Sequence, residues 1–436
     1  MGAKQNAKRV VILGSGFAGV YAYLGLHARF HARERDVEVV LISENDYFLF
    51  LTLIQDVATG DLLPSNVVYP VRTLPNCCLD RFIEGKVTHI NLDTQNITIE
   101  ERRHLLPNGY APEMQKTELH YDYVISALGS ETNYFGVSGA EEYSYPLKNL
   151  EDAKRIKNRV LDSFEAANAV SSEEEIRDAL RFLIVGGGPT GVELAGELAD
   201  YVNGELTHAY PRLRGKPEII LLEGGKRLVP QMNEWFDTKV REILSTKLHV
   251  TVRYNAQVTN ITPTGVQVGT DVIRAHTVIW AAGVKARAVE FGGDKPLEFE
   301  KMTGRVKVTS FLSIPGYKNA FIAGDQAWIV DKETGMPYPM RAQFATREGD
   351  VAAENIYADM YGEPPVEFEW KDLGFILSLG KHGALAEVKG LHFTGFPAWW
   401  LHRIAYLSKI IGIRAKMRTG LEWLLNLFTP RDVNRL

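Results

Sequence analysis

Lys8-Arg-Val-Val-Ile-Leu-Gly14-Ser-Gly16-Phe-Ala-Gly19 opens the first organised stretch of the chain. Four apolar residues in a row, Val10 to Leu13, suit a buried strand. Gly14-x-Gly16-x-x-Gly19 follows at once, and Val20, Leu24 and Leu26 then recur with helical spacing. Each glycine has a separate role. Gly14 permits a tight strand-to-helix turn, Gly16 lets a pyrophosphate approach the backbone, and Gly19 lets helix and strand pack closely. The helix N-terminus then offers unpaired N–H groups to phosphate oxygens. Val37-Glu-Val-Val-Leu-Ile42 closes a βαβ unit. An acid that binds ribose hydroxyls commonly stands just after this strand. Here Ser43 holds that place and Glu44 follows, so Ser43 offers a weaker ribose hydrogen bond and Glu44 is free to face solvent.

One glycine motif is a weak signal, but the same grammar returns. Arg181-Phe-Leu-Ile-Val-Gly186-Gly-Gly188-Pro189-Thr190-Gly191 leads into the helical pattern Val192-Glu193-Leu-Ala195-Gly-Glu197-Leu198. Pro217-Glu-Ile-Ile-Leu-Leu222 is its second strand and ends in Glu223, the ribose acid that the first copy lacks. Two such units suggest two dinucleotides, and electron transfer between a bound flavin and a visiting nicotinamide is the simplest use of the pair. Glu223 favours NADH, because a 2′-phosphate would meet a carboxylate, while nearby Lys226 and Arg227 pull the other way.

Composition bounds the remaining readings. The chain has 436 residues, 45% hydrophobic and 24% charged, which excludes a disordered, collagen-like or coiled-coil class and implies two or three domains. A net charge of −5 gives no support for nucleic-acid binding. That charge is uneven: residues 396–436 carry seven Lys/Arg against two acids, a net +5, which leaves the other 395 residues at −10. No apolar run approaches the roughly 20 residues that cross a bilayer, and polar Met1 to Arg9 does not suit a secretory leader. The two cysteines, Cys77 and Cys78, are adjacent, so neither a disulfide framework nor a C-x-x-C redox or zinc motif is expected.

Two further strands end in small residues, Ala127-Leu-Gly129 and Ala281-Ala282-Gly283, where the chain can cross closely between domains or simply turn. Asn319-Ala-Phe-Ile-Ala323-Gly324-Asp325 delivers an acid to a helix start. Asp325 there suits a ribitol hydroxyl of a flavin and equally an ordinary N-cap.

With these stretches in hand, the chain resembles the type II NADH dehydrogenases, single-subunit NADH:quinone oxidoreductases of the two-dinucleotide-binding flavoprotein superfamily. The resemblance runs from about Lys8 to about Val433. Its narrower signals are Asp46-Tyr-Phe-Leu-Phe-Leu-Thr52, Arg341-Ala342-Gln343-Phe-Ala345-Thr-Arg347 and the C-terminal tail. It implies a non-covalent FAD touching Gly14, Gly16, Phe17, Ala18, Gly19, Ser43, Glu44 and Thr52. It adds Val87, Ala127, Gly129, Gly324, Asp325 and Gln343 to the same group. It implies NADH at Gly186, Gly188, Pro189, Thr190, Gly191, Glu193, Glu223, Ala282 and Gly283. The family's quinone motif, Ala-Gln-x-Ala-x-Gln, reads Ala342-Gln343-Phe344-Ala345-Thr346-Arg347 here, so the last Gln is Arg. Quinone is then expected near Ala342, Gln343, Arg347 and Leu379, with Glu193, Gln343 and Arg347 as catalytic candidates. Glu193 matches a position tied to proton delivery or to holding the nicotinamide. Read from its position alone, it is an acid favoured by the helix dipole.

The tail shows two amphipathic stripes: Trp400, Ile404, Leu407 and Ile411, then Met417, Leu421, Leu424, Leu425 and Phe428, with basic residues beside both. With Trp399 and Trp423, they suit a helix lying in a membrane interface with anionic headgroups, or a helical pair packed on the body, or a homodimer contact. The expected architecture is α/β with two Rossmann-like domains. Residues 1–150 and 290–379 would form a discontinuous FAD domain, residues 151–289 an inserted NADH domain, and residues 380–436 a membrane-association region that can be removed after Gly395. The expected activity is two-electron ping-pong oxidation of NADH by a membrane quinone, without proton pumping. The place would be the cytoplasmic face of the cell membrane, or the inner mitochondrial membrane in a eukaryote. A sulfide:quinone oxidoreductase-like enzyme and a membrane-docked NADH-binding signalling or scaffold flavoprotein are the alternatives.

Overall fold

Val10, Val11, Ile12 and Leu13 have no solvent exposure and form the middle of a parallel sheet. The computed structural model describes residues 7–33, 36–74, 79–102, 114–371, 374–381 and 383–435. The chain falls into two compact units. Unit one comprises residues 1–49, 68–131 and 284–371. Its strand Lys8–Leu13 pairs in parallel with Val37–Ser43 on one side and Tyr123–Ser126 on the other. Leu79–Asn91 and Tyr317–Ile322 extend the parallel run outward. A strand buried on both faces needs a continuous apolar run rather than alternation, and Val10 to Leu13 supply it. An antiparallel flap, Leu79–Asn91 with Asn96–Arg102 and Met114–His120, continues from the same sheet.

Helix Phe17–Phe30 packs lengthwise on helix Ala342–Tyr361 through small residues. A Cβ on Gly349 would stand 2.2 Å from the Ala18 carbonyl oxygen, and one on Gly25 would stand 2.9 Å from the Ala353 Cβ. Arg29 ties the pair with ion pairs to Asp350 at 2.8 Å and Glu354 at 2.9 Å.

Unit two comprises residues 50–67, 132–283 and 372–436. Its parallel sheet runs Tyr145–Pro146, Thr277–Trp280, Arg181–Val185, Glu218–Leu222, Thr251–Arg253. Helix Leu150–Ala169 begins with a reciprocal cap between Asn149 and Asp152. An antiparallel meander, Val258–Thr262, Gly265–Val268 and Asp271–Arg274, packs its apolar side on this sheet. A second meander, Phe375–Ser378, Ala384–Val388 and Leu391–Thr394, precedes helices Phe396–Lys409 and Ile413–Leu425.

The units divide at other places than the sequence boundaries of 150, 289 and 379. Tyr145–Pro146 adds a strand to the second sheet, so the chain has entered unit two before residue 150. The Phe375–Ser378 strand also belongs there, since Ser378 bonds to Glu193 and Glu197. Glycine motifs mark where a βαβ unit starts, not where the chain changes partners.

Candidate functional site

The two glycine turns have the same construction. Gly14 has φ of +103°, and a Cβ on it would lie 2.3 Å from the Ala127 carbonyl oxygen. A Cβ on Gly19 would lie 1.9 Å from the Gly14 carbonyl oxygen. In the second turn, Gly186 has φ of +112° and its Cβ would meet the Ala281 carbonyl oxygen at 2.5 Å, while a Cβ on Gly191 would meet the Gly186 carbonyl oxygen at 1.9 Å. Gly16 and Gly188 differ from these: each has open space where a side chain would stand. Each is also the N-cap of its helix, Phe17–Phe30 or Pro189–Tyr201, and neither helix has a side-chain cap. The first amides of each helix therefore face an open place that a pyrophosphate suits. The backbone carbonyls of Ala127 and Ala281 crowd the two turn glycines, and the Ala281 Cβ lies 3.5 Å from where a Cβ on Gly191 would stand.

The strand ends that follow the two turns differ in what they carry. Glu223 is held in place by two amides: Gly187 N–H donates to Oε2 at 2.7 Å and Gly225 N–H to Oε1 at 2.5 Å. Ser43 is buried, its hydroxyl 2.8 Å from that of Ser15. Glu44 is exposed and ion-paired with Arg287. Arg227 donates to the Met232 carbonyl, so it is occupied away from Glu223.

The Gly324-Asp325 turn is braced from three sides within unit one. Ser130 Oγ donates to Asp325, the Ala323 amide donates to the Ser126 carbonyl at 2.9 Å, and Gly324 N–H donates to Glu348 Oε2 at 2.5 Å. Gln326, buried beside them, accepts from Ser126 Oγ at 2.8 Å and from the Leu128 amide at 3.0 Å, and donates to the Arg287 carbonyl at 3.0 Å. These residues join the Ala127–Gly129 end of one strand to the end of the next. Sequence reasoning missed Ser130, Gln326 and Glu348. The signal available was Gln next to Gly-Asp, and Glu next to the helix glycine Gly349. Burial pushes the Glu348 carboxyl up to about 8, Asp325 raises it further, and the Gly324 amide and Arg305 oppose the shift.

The remaining predicted residues divide between the units. In unit one, Val87 is buried in its strand, and Phe17 packs edge-on against Phe48 at 5.0 Å. Ala342 and Gln343 begin helix Ala342–Tyr361, with Arg347 one turn later. Arg347 donates to Asp350 at 2.9 Å, so its charge is engaged along its own helix. In unit two, Gly283 meets the Phe135 ring, and Leu379 is buried with its backbone against Gly196. Thr52 also belongs to unit two, and its buried hydroxyl has no hydrogen-bond partner among the described residues. Cys77 and Cys78 lie outside the described residues.

The tail needs correction at two residues. Trp399 and Trp423 were expected at a membrane interface, but they are only 5% and 6% exposed. Both indoles face the Arg403 guanidinium, at 5.1 Å and 4.3 Å. A buried cation satisfied partly by aromatic faces explains why the tail is rich in Trp. The outward face holds Trp400, Ile404, Met417, Leu421, Leu424 and Phe428, with Leu407 and Ile411 half-buried. Arg431 is wholly buried, donating to Glu197 Oε2 at 2.7 Å and standing 3.7 Å from Asp61, while Arg403 donates to Asp61 at 3.4 Å. Removing residues after Gly395 would therefore strand two buried acids. Breaking a buried pair in this way costs about 3–5 kcal/mol, so clean removal of the tail is not expected.

Comparison with known proteins agrees with this construction. The family model for the pyridine nucleotide-disulphide oxidoreductases matches residues 8–349. A type II NADH:quinone oxidoreductase of Mycobacterium tuberculosis is 32% identical over 435 residues, covering 97% of this chain and 89% of the relative.

The chain belongs to the type II NADH:quinone oxidoreductases.

Another member of that family, from Staphylococcus saprophyticus, is 28% identical over 95% of this chain and 97% of its own length. The fold of the type II enzymes is also seen in the structure of NDH2 from Plasmodium falciparum in complex with NADH. It superposes with a TM-score of 0.86 at 20% identity, over 98% of this chain and 99% of that one.

Glu348 gives a direct test of the brace behind Asp325. Its folded pKa of about 8 lies above the ordinary value of 4.5. A raised folded pKa contributes stability that is complete below 4.5 and is lost as pH rises through 8. Glu348→Gln keeps an acceptor for Gly324 and removes the ionisation. The melting temperature of the variant relative to wild type should therefore rise between about pH 5 and about pH 8, each unit worth about 1.4 kcal/mol at most. A difference that stays flat over that range would show that the group is not held protonated.

Proposed function

We propose that this chain oxidises NADH and reduces a membrane quinone through one non-covalently bound FAD, in two separate half-reactions and without proton pumping, while seated on an anionic lipid surface. The observation that carries the reading is the pair of open, uncapped helix N-termini at Gly16 and Gly188, of which only the second stands beside a fixed ribose acid, Glu223.

The residues fit the two dinucleotides differently. Around the first turn, the cradle of Gly14, Gly16 and Gly19, the Ser43 hydroxyl and the braced Asp325 suit FAD. FAD, when bound, accepts two electrons as hydride and passes them to a quinone. Around the second turn, Gly186, Gly188 and Gly191 would hold the pyrophosphate of NADH and Glu223 its ribose. Gly187 and Gly225 pre-position that carboxylate, so no reorganisation is needed on binding. Gln343 would orient the quinone, as the resemblance implies, and Glu193 would hold a proton. Burial pushes the Glu193 carboxyl up to about 8, with the Ser378 amide opposing the shift and Glu197 adding to it. It is therefore protonated at neutral pH.

The outward tail face supports the lipid-surface reading. Met417 is 69% exposed and Phe428 is 83% exposed, next to exposed Arg414 and Arg418. Basic residues near an anionic leaflet contribute about 1 kcal/mol each.

NADH:quinone turnover, measured with several quinones, should exceed turnover with NADPH. Glu223→Ala should narrow that gap, and Gln343→Ala should lower quinone reduction by about a hundredfold while NADH-driven flavin reduction persists. A clear preference for NADPH would refute the assignment of Glu223. Met417→Glu with Phe428→Glu should release the protein from vesicles containing anionic lipid while it stays folded. Pelleting unchanged by the double substitution would refute lipid docking by this face, and a loss of self-association alone would make it a contact between copies.

A further inference from the structure

Unit one holds a buried acid that the proposed reaction does not use. Glu348 is 4% exposed and lies on helix Ala342–Tyr361. That helix presses on two parts of the first dinucleotide turn. A Cβ on Gly349 would stand 2.2 Å from the Ala18 carbonyl oxygen and 2.9 Å from the Ala22 amide nitrogen. A Cβ on Gly324, whose φ is +75°, would stand 3.0 Å from the Ala18 Cβ and 3.6 Å from the Ala345 Cβ. The start of helix Phe17–Phe30, the Gly324-Asp325 turn and residues 345–349 therefore meet in one tight joint. Glu348 lies in that joint, and its Oε2 accepts from Gly324 N–H at 2.5 Å.

A buried carboxylate ordinarily has a cation beside it. Among the described residues Glu348 has no ion-pair partner. Arg305, the cation that acts on it, is engaged elsewhere. Its Nη1 donates to the Tyr338 carbonyl at 2.8 Å, its Nε donates to the Thr303 hydroxyl at 3.2 Å, and its guanidinium lies over the Trp328 ring at 4.2 Å. Arg347, next to Glu348 in the chain, donates to Asp350 at 2.9 Å. The acid that faces Glu348 is Asp325. Burial keeps the Glu348 carboxyl protonated at neutral pH, with Asp325 adding to the shift and the Gly324 amide and Arg305 opposing it. A glutamine would accept from Gly324 as well. What the acid adds is a charge that is absent at neutral pH and present when the pH is high.

We infer that Glu348 is a positioning residue for the flavin: neutral, it holds the Asp325 turn against the first turn of helix Phe17–Phe30, and ionised, it repels the bound pyrophosphate and loosens FAD. The inference rests on the binding of FAD at the first glycine turn proposed above. The pyrophosphate brings negative charge to the amides after Gly16, and Asp325 already supplies one carboxylate. A second carboxylate in the same buried joint meets like charges with little water to screen them. FAD and the Glu348 proton therefore favour one another's binding, by linkage. FAD affinity is complete while Glu348 is protonated. It falls as pH rises through the value at which the group ionises, by about tenfold per pH unit at most. Glu348 acts through Gly324 and Asp325 and needs no contact of its own with the flavin.

The test uses the FAD-loaded full chain, with the flavin content per chain determined first. Release of FAD after dilution is followed by flavin fluorescence between pH 7 and pH 9. Wild-type protein should release FAD about fivefold faster or more at the upper end than at the lower. Glu348→Gln, which keeps the acceptor for Gly324 and removes the ionisation, should release it slowly at both ends, with less than about a 1.5-fold rise. Glu348→Ala leaves the Gly324 amide without its acceptor, so it should release FAD faster at every pH and also without the rise. The slope reports the charge and the offset reports the brace, so a purely structural role would move only the offset. A wild-type release rate that is flat from pH 7 to pH 9, or a Glu348→Gln rate that climbs as steeply as wild type, would overturn the role of Glu348. Purified wild-type protein that carries no FAD and takes none up would overturn the proposed function, and this role with it.

Discussion

A side chain at residue 19 would have its Cβ 1.9 Å from the Gly14 carbonyl oxygen, and one at residue 191 would be equally close to Gly186. This close approach of a helix to the strand before it is the constraint on which the rest depends. It fixes the first turn of each helix at the end of a buried strand, with open space beside the N-cap glycines Gly16 and Gly188. The carbonyl oxygens of Ala127 and Ala281 crowd the same two turns from the neighbouring strand. The two units thus share one backbone device and differ in what surrounds it. A Ser15–Ser43 hydroxyl pair stands beside one turn, and an amide-held carboxylate, Glu223, stands beside the other. A turn that pairs a hydroxyl with a braced Asp325 suits a resident dinucleotide. A turn with a preformed acid suits one that comes and goes.

The tail is built on a second constraint, the burial of two arginines. Arg403 is packed between the indoles of Trp399 and Trp423 and bonds to Asp61, and Arg431 lies between Asp61 and Glu197. These contacts tie the last turns of the chain to residues more than two hundred positions earlier. The tail helices therefore use both faces. The inner face completes the charge balance of unit two, and the outer face leaves Met417, Leu421 and Phe428 in the open. A tail that only docked would need no buried cation.

Local geometry was legible in the sequence. The strands at Val10 and Ile184, the glycine turns, Glu223 and the Gly324-Asp325 turn all follow from a few adjacent residues, because backbone approach and strand burial are short-range demands. What was not legible depends on distant partners. The helical stripe of the tail identified an apolar face, but nothing in its period showed that Trp399 and Trp423 turn inward to Arg403. The ends of the units were misplaced because Tyr145–Pro146 and Phe375–Ser378 earn their membership by pairing and hydrogen bonding far along the chain. Glu348 escaped notice because an acid inside a helix looks solvent-facing until Gly324 is found against it.

The central claim is that two like turns hold two unlike dinucleotides, one resident and one exchanging, joined by electron transfer. An anaerobic titration of the purified protein with NADH, followed at the flavin absorbance, tests it most directly. The account requires one flavin per chain, fully bleached by one equivalent of NADH. A protein that carries no flavin, or whose flavin keeps its colour with NADH in excess, would contradict it.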